Sequence, residues 1–294
     1  MKVAVILNKA AGSSNGDAEP DRIRELFAAL DCEASVSAIE EKALEDAVKS
    51  GVDALVAAGG DGTVSFVARA SATSGIPLGV LPVGTLNHFA KDAGIPLDLE
   101  EAVRNVIGGE PTAIDMGEVN GVLFLNNSSV GIYPSLVQAR NAWQDLTGHG
   151  KWSAMFRAGL RVFRRFPVLH VRMEVDGVPF HRRTPVVFIG NNEYQMNLFK
   201  QGSRSCLTNG CLSLFITNCE ERWCMARLFA RFLVGRLDQA KDFESKSVAE
   251  VWIEHRKRSL HVSVDGEVIR LEPPLHYTVR PLALRVILPR AAVM

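Results

Sequence analysis

The chain has 294 residues, 47% of them apolar and 22% charged, with 33 basic and 33 acidic side chains and no formal net charge at pH 7. Such a length holds two domains with cores of their own, and the balanced charge excludes a general nucleic-acid binder, which carries a basic excess, while leaving local basic patches open. No apolar run is long enough to span a bilayer. The opening run is cut short by Asn8 and Lys9 and reads as a strand, not a signal sequence.

In chain order, residues 2–7 form a β-branched apolar run, the composition of a buried strand. Over 20–30, Ile23, Leu26, Phe27 and Leu30 recur at helical spacing behind Pro20, which suits a helix start. A strand is expected over 34–39, a helix over 43–49 closed by Gly51, and a strand over 53–58. A glycine-rich turn leads to a helix over 64–72, then a strand over 78–81, a second glycine turn and a helix over 86–93. This alternation predicts an α/β domain with a mostly parallel sheet covered by helices.

After about Thr112 the rhythm changes. Asn120-Gly121, Asp176-Gly177 and Asp265-Gly266 each lie between strand-like runs, the signature of hairpin turns. Further strands are expected over 185–189 and 212–217, and helical stretches near 152–166 and 222–237. The second part therefore reads as an antiparallel β domain. The domains are placed at 1–118 and 119–294, with the last strand free to return to the first.

The cysteines, Cys32, Cys206, Cys211, Cys219 and Cys224, form no CxxC pair, which argues against structural zinc. Their odd number suits reduced thiols in a cytoplasmic protein.

The stretch GGDGT at 59–63 ends one strand and opens a helix. A tight turn alone explains such glycines. A phosphate site explains more: helix N-termini offer unpaired amides, and glycines let backbone approach phosphate oxygens. Thr63 can cap the helix or bond a phosphate. Asp61 repels phosphate unless a cation such as Mg²⁺ bridges the two. The pattern recurs after the next strand, where Gly84 and Thr85 precede Asn87, and Asn8 and Gly12 lie on a third polar loop. Neither GxxxxGK[ST] nor GxGxxG is present, so a nucleotide would be held by another scheme.

GGDGT, LPVGTLNHFAKDAGIP at 81–96, IDMGEVNG at 114–121 and VDGE at 264–267 together resemble the diacylglycerol kinase catalytic-domain family, in order and spacing over nearly the whole chain. GGDGT alone is shared with NAD kinases and related to the phosphofructokinase pattern. The resemblance implies a phosphofructokinase- and NAD kinase-like α/β nucleotide domain, a C-terminal antiparallel β-sandwich and ATP in a cleft between them. By position, Gly59, Gly60, Gly62 and Thr63 would cradle phosphates, with Asp61 on the Mg²⁺ side. Gly84, Thr85 and Asn87 would line the nucleotide pocket with help from Asn8. Asp265 would take the proton of a lipid hydroxyl, with Glu267 in support, and Asp61 stays a rival for that role. Asp115 matches an aspartate of a metal-linked network. The family commonly has Asp after the motif Asn; here that place holds His88, which does not suit Mg²⁺. Asn209-Gly210 likewise stands where Asp-Gly is frequent. Both departures put the metal details in question.

From the residues alone, Asp265 and Asp176 are indistinguishable turn aspartates; Glu267 and the family pattern single out Asp265. Over 152–166, Arg157, Arg161, Arg164 and Arg165 fall on one helical face and Trp152, Met155, Phe156, Leu160 and Phe163 on the other. That is either a basic amphipathic helix at a membrane surface or a helix packed on the sandwich. The expected function is an ATP-dependent lipid kinase acting on a hydroxyl of diacylglycerol, a sphingoid base or phosphatidylglycerol. It would be cytoplasmic with peripheral contact at the inner membrane surface, would bind no nucleic acid, and is compatible with a homodimer. The rivals are an NAD kinase-like small-molecule kinase and a non-catalytic lipid- or nucleotide-binding protein.

Overall fold

The computed structural model describes residues 1–8, 20–131, 169–195, 203–204, 206–217, 224 and 243–290. The chain divides into two compact units. One comprises Met1–Met116, Arg204–Thr208 and Arg280–Met294; the other comprises Gly117–Ser203 and Asn209–Val279.

The first unit runs β1 (Lys2–Leu7), α1 (Pro20–Ala28), β2 (Glu33–Ala38), α2 (Glu41–Lys49), β3 (Ala54–Ala58), α3 (Asp61–Ser74), β4 (Leu78–Leu81), α4 (His88–Asp92) and α5 (Leu99–Gly108), and β5 (Glu110–Val119) follows. Strands β1, β3 and β4 are buried along nearly their whole length, as strands covered on both faces must be. Strand β1 pairs in parallel with β2 and β3, and β3 in parallel with β4. Helix α3 buries Val64, Val67 and Ala68 and also the small residues Thr63, Ser65 and Ser71.

Two helices differ from the sequence expectation. Helix α3 begins at Asp61, not Val64, so most of GGDGT is its first turn and not a free loop. Helix α5 was not anticipated, although Asp98 caps it by accepting the Glu101 N–H at 3.0 Å, with Ala102, Val103 and Val106 on its buried face.

The second unit is built from β6 (Val122–Phe124), β7 (Asn127–Gly131), β8 (Leu169–Val175), β9 (Val178–Thr184), β10 (Val186–Asn191), the two-residue strands β11 (Tyr194–Gln195) and β12 (Ser203–Arg204), β13 (Leu212–Thr217), β14 (Phe243–Val248), β15 (Glu250–Glu254), β16 (Leu260–Val264), β17 (Glu267–Leu271) and the start of β18 (Leu275–Leu288). One sheet has the order β14-β13-β10-β7-β16-β17, with every printed register antiparallel. Opposite it, β18, β15, β8 and β9 pair antiparallel in that order. Val171, Met173, Ile253 and Tyr277 from the second sheet join Val187, Ile189, Leu214 and Val262 from the first in one apolar core, so the unit is an antiparallel β-sandwich. Strand β18 is shared along its length: residues 275–278 pair with β15, and Val286 pairs in parallel with β4 of the first unit.

The three expected hairpin turns are present. Asn120, Asp176 and Asp265 have φ of 47°, 48° and 49°, and the glycines after them 83°, 81° and 86°. Positive φ at both central positions is the tight turn that matches strand twist. The helical stretches expected at 152–166 and 222–237, and the loop carrying Gly12, lie outside the described residues. Cys32, Cys206 and Cys211 are free thiols. Cys224 is disulfide-bonded, against the expectation of reduced thiols throughout, and its partner lies outside the described residues.

Candidate active site

In the first unit the two glycine turns meet. Strands β3 and β4 run side by side and end together, at Ala58 and Leu81, and the Gly59 N–H donates to the Leu81 carbonyl at 3.1 Å. The backbones then press against each other. A Cβ on Gly84 would lie 2.7 Å from the Gly60 nitrogen, and one on Gly59 would lie 2.6 Å from the Thr63 Cβ. Glycine is thus required at 59 and 84 by packing alone.

Gly62 has no such reason. Nothing lies within 4 Å of a Cβ placed there. It stands in the first turn of α3, whose cap, Gly60, offers no side-chain acceptor. The first intrahelical bond runs from the Val64 N–H to the Gly60 carbonyl at 3.1 Å. The amides of 61–63 precede it and face out along the helix axis, where anions are received.

Asn87 sets the second turn. It adopts φ of 50°, and its Nδ2 donates to the carbonyls of Pro82 and Gly84 at 2.7 and 2.8 Å. Its Oδ1 and the Thr63 Oγ1 are buried without a hydrogen-bond partner in the structure. Ser71 Oγ, Asn105 Oδ1 and Ser263 Oγ share that status elsewhere, so what marks these two atoms is their place at the glycine turns. Thr85 is exposed, and Asn8 follows β1, its N–H donating to the Ala58 carbonyl at 3.0 Å. Gly59, Gly60, Asp61, Gly62, Thr63, Gly84, Asn87 and Asn8 therefore gather at the carboxyl ends of β1, β3 and β4, the ligand-binding edge of such sheets.

Asp61 has a partner that the sequence did not disclose. Its Oδ2 accepts the His88 N–H at 3.1 Å and its Oδ1 the Phe89 N–H at 2.9 Å. One carboxylate thus stands in the first turn of α3 and caps α4, complementing two helix N-termini. His88, the departure from the family pattern, contributes its main-chain amide to this contact. Each Asp61 oxygen keeps a second lone pair.

Asp115 is buried and occupied differently. Its Oδ1 accepts the Leu282 N–H at 2.9 Å, and its own N–H donates to the Leu207 carbonyl at 2.9 Å. It holds Leu282 at φ of 52°, a conformation that leucine rarely adopts. Among the described residues no three His, Cys, Asp or Glu side chains gather as a metal site. The donor set therefore does not form a metal cage. It fits Mg²⁺ in the mode in which the ion is held by phosphate oxygens, water and one or two carboxylates, with Asp61 the available side chain.

Asp265 and Glu267 belong to the second unit. Asp265 closes the turn between β16 and β17. Its Oδ2 accepts the Leu125 N–H at 2.8 Å, and its Oδ1 accepts those of Asn126 and Asn127 at 2.8 and 3.0 Å. Its own N–H donates to the Asn127 carbonyl at 2.8 Å. The other two hairpin turns use the same device. Asp176 Oδ1 accepts the amides of Ala249 and Glu250, and Asn120 Oδ1 accepts that of His276. What separates Asp265 is its surroundings: it is half-buried while Asp176 and Asn120 are exposed. Glu267, next along at the start of β17, is exposed.

The segment gripped by Asp265 is held from the other side by residues that the sequence reading passed over. Asn191 Nδ2 donates to the Leu125 carbonyl at 3.0 Å, and the Asn191 N–H donates to the Asn126 carbonyl at 2.9 Å. Asn192, at φ of 62°, accepts the Asn209 N–H on Oδ1 at 2.9 Å and fixes the Asn209-Gly210 turn. Below them Ser128 Oγ donates to the Ser263 carbonyl at 2.9 Å and lies 3.2 Å from the Tyr277 hydroxyl, which must then donate to it. Burial drives the Tyr277 phenol well above its ordinary range. The paired asparagines at 126–127 and 191–192 were the visible signal, since strand ends that carry two amides in a row are places where backbone is braced.

Comparison with known proteins bears on the family and the fold. Residues 2–119 match the model of the diacylglycerol kinase catalytic domain, and residues 134–288 match that of the YegS C-terminal NAD kinase beta sandwich-like domain. A Pseudomonas fluorescens protein named "Probable lipid kinase YegS-like" is 30% identical over 252 residues, 85% of this chain and 82% of that protein. A Pseudomonas syringae pv. tomato protein of the same name is 32% identical over 257 residues, 85% of this chain and 80% of that one. Among solved structures, a diacylglycerol kinase from Bacillus anthracis str. Sterne has a TM-score of 0.66 at 19% identity over 99% of this chain and 98% of that one, which shows the shared fold. With both family models matched and relatives aligned across most of their length, the chain belongs to the diacylglycerol kinase catalytic-domain family and is a kinase of its YegS-like lipid-kinase branch.

Proposed function

We propose that the chain transfers the γ-phosphate of ATP to the hydroxyl of a membrane lipid of the diacylglycerol type. The observation that carries the ATP half is the contrast among the glycines. Gly59 and Gly84 are explained by packing, while Gly62 opens space at an uncapped helix N-terminus beside the orphaned Thr63 Oγ1 and Asn87 Oδ1. A triphosphate tail supplies acceptors for those amides and for the Thr63 hydroxyl; Asn87 Oδ1, itself an acceptor, calls for a donor such as a nucleoside hydroxyl.

In this reading the α3 amides and Thr63 orient the terminal phosphate. Mg²⁺, when bound with the phosphates, would neutralise charge on the transferring group, and Asp61 would hold it through a carboxylate lone pair. Asp265 receives the hydroxyl proton on Oδ2, the oxygen engaged by one amide and not two. The lipid oxygen bonds to the γ-phosphorus, the bond to the β-phosphate oxygen breaks, and ADP leaves. The three amides keep the Asp265 carboxylate in place while it does this, a fixed base of the kind that contributes roughly 10²–10⁴-fold to such steps.

The test is transfer of labelled phosphate from ATP, with Mg²⁺ present, to total extracted lipid, with the product identified by mass. A phosphorylated diacylglycerol-type lipid is the expected product. Transfer to NAD but to no lipid, or no transfer to either, would overturn the proposal.

A further inference from the structure

A strongly basic surface lies at one end of the second unit's β8–β9–β15 sheet, apart from every residue assigned above. In the strand register Arg183 faces His170, and Arg172 lies between His181 on β9 and Glu254 on β15. Past Glu254 the chain continues as His255, Arg256, Lys257 and Arg258, on past His170. Arg256, Lys257, Arg258, His170, His181 and Arg183 are all exposed. Two acidic side chains share this face: Glu254, paired with Arg172 at 3.7 Å, and Glu174, further along β8 and away from the loop. The crowding is felt locally: after its burial, Lys257 and then His170 depress the His255 imidazole below its ordinary range. In a chain with no net charge this excess is a local device and not a bulk property.

We infer that this surface, formed by Arg256, Lys257, Arg258, His170 and Arg183, docks the enzyme on an anionic phospholipid membrane. The inference rests on the lipid-kinase reading, because a substrate embedded in a bilayer must be met at its surface. Arg and Lys at an anionic leaflet act additively and without specific geometry, which suits a loop that crosses from one sheet to the other beside strand ends better than a shaped pocket would. The His255 ring supports the loop itself, its Nδ1 accepting the Lys257 N–H at 2.9 Å, so the three basic side chains after Glu254 are displayed from a formed turn.

The experiment is sedimentation of the full chain with vesicles of phosphatidylcholine alone and of phosphatidylcholine with phosphatidylglycerol. Binding to the mixed vesicles only, weakening as salt is raised, is expected. The variant Arg256→Ser/Lys257→Ser/Arg258→Ser should bind on the order of 100-fold more weakly. It should keep the wild-type thermal unfolding and the wild-type kcat on a dispersed short-chain diacylglycerol. A matched variant in the first unit, Lys42→Ser/Lys49→Ser/Arg104→Ser, should bind vesicles like wild type. Undiminished vesicle binding by the loop variant overturns the inference, as does wild-type binding to a DNA duplex as tight as to the mixed vesicles. Absence of wild-type turnover on the short-chain lipid would strike the lipid-kinase reading instead, and the vesicle arm reports on the surface separately.

Discussion

Gly60 and Gly84 pack main chain against main chain, 24 residues apart in sequence, so that a Cβ on Gly84 would lie 2.7 Å from the Gly60 nitrogen. This contact converts two separate turns into one rigid edge. It also separates glycines that the fold needs from the glycine that it does not.

Gly84→Ala should destabilise the first unit by about 1–3 kcal/mol, the ordinary cost of overpacking against backbone that cannot move aside. Gly62→Ala should leave stability unchanged or raise it by about 0.5–1 kcal/mol, since alanine is the better helix former and the space is open. Its KM for ATP should nevertheless rise at least tenfold. Thermal unfolding and ATP kinetics on the two variants check the contrast; a Gly62→Ala enzyme with wild-type KM would remove the phosphate from this turn.

Asp61 caps α4 and is also the carboxylate available to a phosphate-bound metal. Asp61→Ser preserves an acceptor for the helix but not the charge. It should cost stability no more than about 1 kcal/mol and lower turnover by more than tenfold. Raising Mg²⁺ should recover part of that loss if the lost carboxylate is a metal contact. Full activity in Asp61→Ser would reduce Asp61 to a cap.

Asp265 and Asp176 sit in turns of the same geometry, and each accepts amides from a neighbouring segment. Asp176→Asn is therefore an internal control for Asp265→Asn. Each should lose on the order of 1–3 kcal/mol, as hydrogen bonds to a charged acceptor do. Only Asp265→Asn should lower kcat, by about 10²–10⁴-fold, while ATP binding survives. Equal kcat in the two variants would show that Asp265 is a turn residue alone.

Tyr277 gives a pH signature. Its phenol is raised in the folded chain by burial. Below the ordinary tyrosine range, near pH 10, both states keep the proton and the group is neutral in its effect. Above it the unfolded chain loses the proton first, so stability falls as pH rises, by up to about 1.4 kcal/mol per pH unit. Tyr277→Phe should cost about 1 kcal/mol at pH 8 through the lost Ser128 contact, and its deficit against wild type should shrink above pH 10. Urea midpoints from pH 8 to 11 report this; a constant deficit would contradict it.

The sequence by itself determined the elements and their local chemistry. Apolar runs at 2–7 and 78–81 became buried parallel strands because such runs satisfy only a sheet covered on both faces. Asn120, Asp176 and Asp265 before glycine became tight turns because only such pairs tolerate two successive positive φ angles. The glycine turn proposed to hold phosphate was legible for the same reason: its signal is local, carried within five residues by glycine and a helix start. Tertiary structure decided what these pieces touch. That Asp61 caps α4, that Asp265 and Asn191 clamp 125–127 from two sides, and that Asp115 holds Leu282 are contacts between residues 27, 139, 66 and 167 positions apart. Hydrogen bonds over such separations depend on which strands become neighbours. That is settled by closing the two cores, and no short window of sequence records it.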